Sequence, residues 1–301
     1  MKFIEAHKGR FGVAPICRVL CEHGCTIAPS TYYDAKSRAP SKRSLRDDEL
    51  KVEIARVHAE NYGVYGPRKV WLQLNREGIE VARCTVERLM GSLGLQGIRR
   101  GKAWKTTIAD PAAVRPLDLV QRRFNPAGPS ALWVADFTYV ASWAGVVYVA
   151  FVIDAYARRI LGWRAAMSMR TQLVLDALEQ AVWVRRREGI TAGLAGLIHH
   201  TDAGSQYTSI ALTERLAEIG IAPSIGTVGD AYDNALAETV IGLYKTELIN
   251  PNRPWKTVEQ VEIATLRYVD WFNSNRLYEE NGDIPPVELE QAHYRQHRPS
   301  A

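Results

Sequence analysis

The spacing of apolar positions changes character along this chain, from helical periodicity in the first third to strand-like runs beyond residue 130. Residues 1–40 carry a short apolar-periodic stretch (Ile16, Val19, Leu20) and then the Pro29–Tyr33 segment, where Ser30 is expected to cap a brief helix. The polar run Arg38–Arg46, interrupted by Pro40, reads as a linker. From Asp47 to His58, Leu50, Ile54 and Val57 recur at helical spacing, and Asp47, Asp48 and Glu49 fall in the expected first turn, where carboxylates complement the helix dipole. Gly66-Pro67 predicts a helix start, with Val70, Leu72 and Leu74 as its apolar surface and Gly78 closing it after Arg76. A second helix is expected from about Cys84 to Leu93, burying Val86, Leu89, Met90 and Leu93.

Beyond the Arg-, Pro- and Ala-rich residues 97–130, three strands are expected: Trp133–Val140, Val146–Ile153 and Ile160–Ala166, with turns at Gly145 and Asp154–Arg158. A long amphipathic helix follows over Thr171–Arg187, ending before Gly189. Then come a short strand Leu197–His200, a helix through Leu212–Ile219, a strand near Ile221–Ser224 and a helix from about Asp233 to Leu248. One further helix is expected over Val258–Phe272, before a Pro-rich ending. Three antiparallel strands followed by alternating helix and strand make a mixed α/β sheet, preceded here by a small all-α region.

Charge divides along the same line. Residues 1–125 hold 23 Lys/Arg against 13 Asp/Glu, a net of +10, and residues 126–301 hold 15 against 20, a net of −5. A basic front part suits contact with phosphates. The helix pair at 67–93 has the form of a helix-turn-helix, whose second helix enters the major groove. Its exposed face would carry Arg83, Thr85, Glu87 and Arg88, and Arg68 and Lys69 lie on the first helix, so Arg68, Lys69, Arg83, Thr85 and Arg88 are candidate DNA contacts. An αα-hairpin that only packs on a neighbour is the competing reading. The longest apolar run, Val146–Ile153, is too short to span a bilayer. No signal core is visible at the amino terminus, and four cysteines do not make a disulfide framework, so a cytoplasmic, nucleoid-associated protein is expected.

Three carboxylates stand out. Asp136 lies inside an apolar strand, where a charge is costly unless paired or bound to a metal. Asp202 ends a short strand, and Glu238 sits on the first turns of a helix, with 35 residues between the two. Hard divalent cations prefer such oxygen ligands, and two of them can clamp the attacking and leaving oxygens of a phosphodiester displacement.

The segments Trp133-Val-Ala-Asp-Phe-Thr-Tyr139, His199-His-Thr-Asp-Ala-Gly-Ser-Gln-Tyr207 and Tyr232-Asp-Asn-Ala-Leu-Ala-Glu-Thr239 resemble the DDE signature of integrases and transposases. The likeness extends over nearly the whole chain, including Trp271-Phe-Asn, Arg276 and Pro285-Pro286, and is to the second-frame (OrfB-type) product of the IS-three insertion-sequence family. It implies an RNase H-like catalytic fold. It also implies a triad of Asp136, Asp202 and Glu238 holding two Mg²⁺ (or Mn²⁺) ions, with Lys245 on terminal DNA phosphates and Asn234 lining the site. Ala203 departs from the basic residue that relatives often carry there, which bears on a phosphate contact and not on the metal site. The implied reaction is metal-dependent cleavage at the element's ends followed by strand transfer. Its partners would be terminal repeats and target DNA, a second copy of the chain, and an upstream-frame product joined by fusion. A non-catalytic DNA-binding regulator, an inactive remnant and a plain metal-dependent nuclease are the alternatives.

The expected organisation is a helical segment at 1–45, a helix-turn-helix region at 46–100, a basic linker at 101–125, the catalytic core at 126–250 and a C-terminal helix and tail at 251–301. Other chemistry-bearing residues have plainer readings. Asp154 suits a turn beside Arg158 and Arg159, and Asp233 a helix cap, with Asp230 and Asp233 as rival ligands near Glu238. His199 and His200 lack a third soft ligand, Cys17, Cys21 and Cys25 are weak as a zinc set, and Trp133, Trp163 and Trp183 are expected in the core.

Overall fold

The computed structural model describes residues 1–99, 119–120, 124–190, 194–202, 206–207, 209–225 and 235–297. The chain divides into two units, Met1–Ala55 and Arg56–Ala301. The first holds α1 (Lys2–Phe11), α2 (Val13–Glu22) and α3 (Pro29–Ser37) around Ile4, Val13, Ile16, Cys17 and Tyr32. Gly12, at φ 75°, makes the turn between α1 and α2. Here the structure corrects three expectations. α1 has almost no apolar periodicity and was not foreseen. Pro29 occupies the first turn of α3 with Ala28 at its cap, so Ser30 is inside the helix. α4 spans Lys42–Glu60, which turns most of the expected linker into helix and moves Asp47–Glu49 out of the first turn.

In the second unit, α5 (Pro67–Arg76) and α6 (Arg83–Leu93) pack together, burying Val70, Leu74, Val86, Leu89 and Met90. Leu93 is exposed rather than buried. The five-stranded sheet has the order β3-β2-β1-β4-β5, built from β1 (Leu132–Ser142), β2 (Gly145–Asp154), β3 (Ile160–Ala166), β4 (Ile198–Thr201) and β5 (Ala222–Ile225). β1, β2 and β3 run antiparallel, and β1 is parallel to β4, as β4 is to β5. Alternation along β1 sends Trp133 and Ala135 to one face, where α7 (Thr171–Arg187) and α8 (Ile210–Glu218) close the main core. α7 lies very near β3: a Cβ on Gly162 would stand 1.9 Å from the Ala177 carbonyl oxygen.

The opposite face carries Asp136 and its direct cross-strand neighbour Phe151, whose ring meets Tyr244 of α9 (Ala235–Tyr244) edge-on at 5.0 Å. α9 passes into a π-helical turn, Lys245–Ile249, where a continued α-helix was expected. α10 (Val258–Ser274) braces this turn: Arg276, just past its end, and Tyr268 donate to Glu247 at 2.6 and 2.9 Å, and Tyr244 shares a 2.7 Å hydrogen bond with Thr265. The ending is not irregular, because α11 (Pro286–Gln296) starts directly after Pro285.

Candidate functional site

Each carboxylate of the expected triad comes from a different element. Asp136 is in mid-β1, flanked by Ala135 and Phe137, and the Phe137 N–H donates to its Oδ1 at 2.7 Å. Ala135 and Thr201 are register partners across the parallel β1–β4 pair, so Asp136 and Asp202, next in each chain, leave neighbouring strands side by side, about 4.8 Å apart along the sheet. Glu238 sits in the first turn of α9, over the same sheet face, and is exposed.

Their mutual influence is visible in the acidity of Asp136. Burial pushes its carboxyl from 3.8 up to about 8, and the charges of Asp202 and, more weakly, Glu238 push the same way, while the Phe137 N–H and Lys245 oppose them. Among the described residues, however, no three His, Cys, Asp or Glu side chains stand close enough together to hold one ion.

Lys245 opens the π-helical turn, with its Nζ 4.7 Å from the centre of the Tyr139 ring. Burial lowers its basicity, and Asp136 pulls it back up. Asn234, Asp230, Asp233 and Ala203 lie outside the described residues. Tyr207, quoted above only as part of a motif, is a residue that sequence reasoning passed over. It is buried beside Phe137, its hydroxyl has no hydrogen-bond partner among the described residues, and burial with the charges of Asp136 and Asp202 raises its pKa strongly.

The expected DNA contacts fall into two groups. Arg83 and Arg88 project from the exposed face of α6, and Thr85 is half-buried there. On α5, by contrast, both nitrogens of the Arg68 fork are taken by Asp283, one at 2.8 Å. Lys69 lines a cavity of about 410 Å³ with Tyr65 and Arg276, its Nζ 5.6 Å from the Tyr65 ring, and burial lowers its pKa to about 8.

Several decoys resolve into structure. Asp154 is fully buried; it accepts from Arg185 at 2.8 Å and from the Ser130 and Tyr156 N–H groups at 2.7 and 2.9 Å. Arg185 also donates to Glu290 at 2.6 Å, so this charge cluster ties β2, α7 and α11 together. Arg159 joins it through Glu290, but the main partner of Asp154 is on α7 rather than in its own turn. His199 and His200 are buried, the former kept neutral down to about 4 by burial, and His200 shares a 2.9 Å hydrogen bond with Ser224. Cys17 is buried while Cys21 and Cys25 are exposed, and all three are free thiols. Trp133 is buried as expected, but Trp183 is 57% exposed, with the Arg187 guanidinium stacked 5.2 Å from its ring. The Trp271–Arg276 stretch is a set of struts: Trp271 donates to Asn61 at 3.0 Å, and Asn273 pairs with both backbone groups of Ile160.

An α/β sheet of this order, with one carboxylate within its central strand and a second just past the end of the neighbouring one, defines an integrase-type catalytic core of RNase H-like fold. Consistent with that class, two integrase core domain families match residues 126–231 and 219–286, and an HTH-like domain family matches residues 45–103. The chain is 69% identical to the insertion sequence element IS986/IS6110 protein of Mycobacterium tuberculosis over 91% of its own length and 99% of that protein. It is 52% identical to the transposase for insertion sequence element IS629 of Shigella sonnei, over 98% of its length and 96% of that protein. The solved HTLV-2 integrase catalytic core domain aligns with 55% of this chain and 98% of its own at 17% identity and a TM-score of 0.41. The chain belongs to the transposases of the IS-three insertion-sequence family and is a DDE-type polynucleotidyl transferase. Integrase cores of this kind are metal-dependent and act on DNA. No helix among the described residues is long and apolar enough to cross a membrane.

Proposed function

We propose that Asp136, Asp202 and Glu238 together hold two Mg²⁺ or Mn²⁺ ions, and that the chain uses them to cleave the ends of its element and join them to target DNA. One arrangement carries the assignment of residues: the Ala135–Thr201 register sets Asp136 and Asp202 at neighbouring strands with Glu238 in the first turn of α9, and burial with the other two carboxylates pushes the Asp136 carboxyl up to about 8. A hard, all-oxygen donor set with excess negative charge fits a divalent cation and no softer metal. When bound, such ions supply the positive charge that activates an attacking hydroxyl and stabilises the departing oxygen.

The chain's own groups do the rest. β1 and β4 hold Asp136 and Asp202 on rigid backbone, and the Phe137 N–H fixes one oxygen of Asp136. α9, braced on α10 through Tyr244 and Thr265, holds Glu238 over the same face. Lys245 is suited to a DNA phosphate beside the triad, with Asn234 as a further lining residue, and Arg83, Thr85 and Arg88 are suited to a groove. Arg68 and Lys69 stay in the DNA-contact proposal only if Asp283 and the Tyr65 cavity release them. Joining two DNA ends calls for at least two copies of the chain, and fusion to an upstream-frame product would add end recognition. A nucleoid-associated location in the cytoplasm follows from the substrate.

The test is a strand-transfer assay in Mg²⁺ or Mn²⁺ comparing wild type with Asp136→Asn, Asp202→Asn and Glu238→Gln. All three variants are expected to lose joining while still binding DNA. Joining at the wild-type level by any of them would remove that residue from the triad, and cleavage without joining by the wild type would favour a nuclease.

A further inference from the structure

The turn between β1 and β2 presents Trp143, 71% exposed, at the tip of the hairpin whose first strand bears Asp136. An indole so exposed is costly to leave in water, and a mobile one would be of little use as a contact. This one is held. The Trp143 N–H donates to the Trp255 carbonyl at 3.0 Å, and the Ala144 N–H to the Lys256 carbonyl at 3.2 Å. Ser142 and Trp255 form a parallel bridge, and Trp255 is itself buried, its indole N–H donating to Ile249 at 3.0 Å. The tip is therefore riveted to the segment that follows the π-helical turn.

Both exposed aromatics of this hairpin carry a lysine. Lys256 Nζ stands 5.4 Å from the Trp143 ring centre, and Lys245 Nζ stands 4.7 Å from that of Tyr139, itself 49% exposed. Alternation along β1 puts Tyr139 on the other face from Asp136, and Lys245, which acts electrostatically on Asp136 and stands against the Tyr139 ring, links the two. At about 3.3 Å per residue, Tyr139 is about 10 Å and Trp143 about 23 Å along the strand from Asp136. Alternating rings and cations on a rigid edge match what a nucleic-acid strand offers, π-faces of bases and phosphates in register. A purely apolar protein partner would leave both ammonium groups facing an uncharged surface.

We infer that Tyr139, Trp143, Lys245 and Lys256 form a basic-aromatic track for the DNA strand that leaves the carboxylates. In it, Trp143 stacks on an unpaired base of the strand flanking the reaction. The inference rests on the proposed position of the active site for its direction and spacing. Lys245, suited to a phosphate beside the triad, stands at the start of the track, and Tyr139, Trp143 and Lys256 concern the DNA flanking the reaction.

The experiment measures binding of the full chain, by fluorescence anisotropy, to a 30-base-pair duplex with a five-nucleotide single-stranded gap, against the intact duplex. Trp143→Ala is expected to weaken binding to the gapped duplex by roughly 5- to 150-fold, the range for loss of one base–aromatic stack. Trp143→Phe should restore most of it, and the intact duplex should change by less than about threefold. Lys256→Ala should lower the slope of log affinity against log salt by about one. Because the ring is largely in solvent, both Trp143 variants should melt with the wild type, and Lys256→Ala reads the same track should either fail to fold. Unchanged affinity of Trp143→Ala for the gapped duplex overturns the inference. So does a halved sedimentation mass for Trp143→Ala at unchanged DNA affinity, since the ring would then contact a second copy. Asp136→Asn keeps the two readings apart: it should bind the gapped duplex as wild type does and fail to join ends. A variant that joins ends normally while Trp143→Ala still loses binding would refute the triad and leave the track standing.

Discussion

Replacing Asp136 by Asn removes a charge but keeps the shape of the side chain and the oxygen that the Phe137 N–H uses at 2.7 Å. In the unfolded chain this carboxyl titrates at its ordinary 3.8; in the fold, burial and the charges of Asp202 and Glu238 move it to about 8. Between those values the folded state binds a proton that the unfolded state has released, so stability falls as pH rises through the window. The loss is absent below about 4 and complete above about 8. At about 1.4 kcal/mol per pH unit its upper bound is about 6 kcal/mol, and about half of that once solvent reaches a half-buried group. Urea unfolding without metal, at pH 4.5 and pH 8.5, should therefore show Asp136→Asn gaining about 2–3 kcal/mol over wild type between the two. Other titrating groups such as His199 act in both proteins and drop out of the difference. Adding Mg²⁺ at pH 8.5 should close most of that gap, stabilising the wild type by about 2.7 kcal/mol at a hundredfold excess over its dissociation constant and the variant by much less. A stability difference that does not depend on pH, or that grows in favour of the wild type as pH rises, would refute the reasoning.

Two further outcomes test how the sheet supports this site. Gly162→Ala places a Cβ 1.9 Å from the Ala177 carbonyl of α7, a clash with backbone that no rotamer relieves; a loss of about 4 kcal/mol or failure to accumulate as folded protein is expected by chemical denaturation. Arg185→Ala leaves Asp154 and Glu290 buried without their shared cation, and should cost about 3–5 kcal/mol by the same measurement, whereas near-neutral stability would mean that water replaces the guanidinium.

The catalytic strands and the long helix were legible because burial imposes its period on the sequence. Trp133, Ala135, Ala150 and Val152 must face the core, so alternation or an unbroken apolar run is enough to find β1 and β2. α1 and α11 escaped because little of either is buried: Ile4 alone in the first, Pro286 and Glu290 in the second. The start of α4 escaped for a related reason, since charged residues on a solvated helical face look like linker. Trp183 misled in the other direction, its size suggesting the core while the structure leaves it to a stack with Arg187.

For the site, composition and position within a strand marked Asp136, and the flanking motifs marked Asp202 and Glu238 with it. The sequence by itself determined the fold class and the family, and it nominated these three carboxylates, because each lies in a short stretch with a recognisable pattern. What it did not contain was how far apart things are. The parallel pairing of β1 with β4, which brings Asp136 beside Asp202 across 65 intervening residues, depends on the register of a sheet assembled from remote segments. So do the capture of Arg68 by Asp283, the pairing of Asp154 with Arg185 rather than Arg159, and the riveting of Trp143 to Trp255. In each case the partner is more than 30 residues away, and electrostatic and hydrogen-bond energies fall off with distance in space, a quantity only the tertiary fold sets.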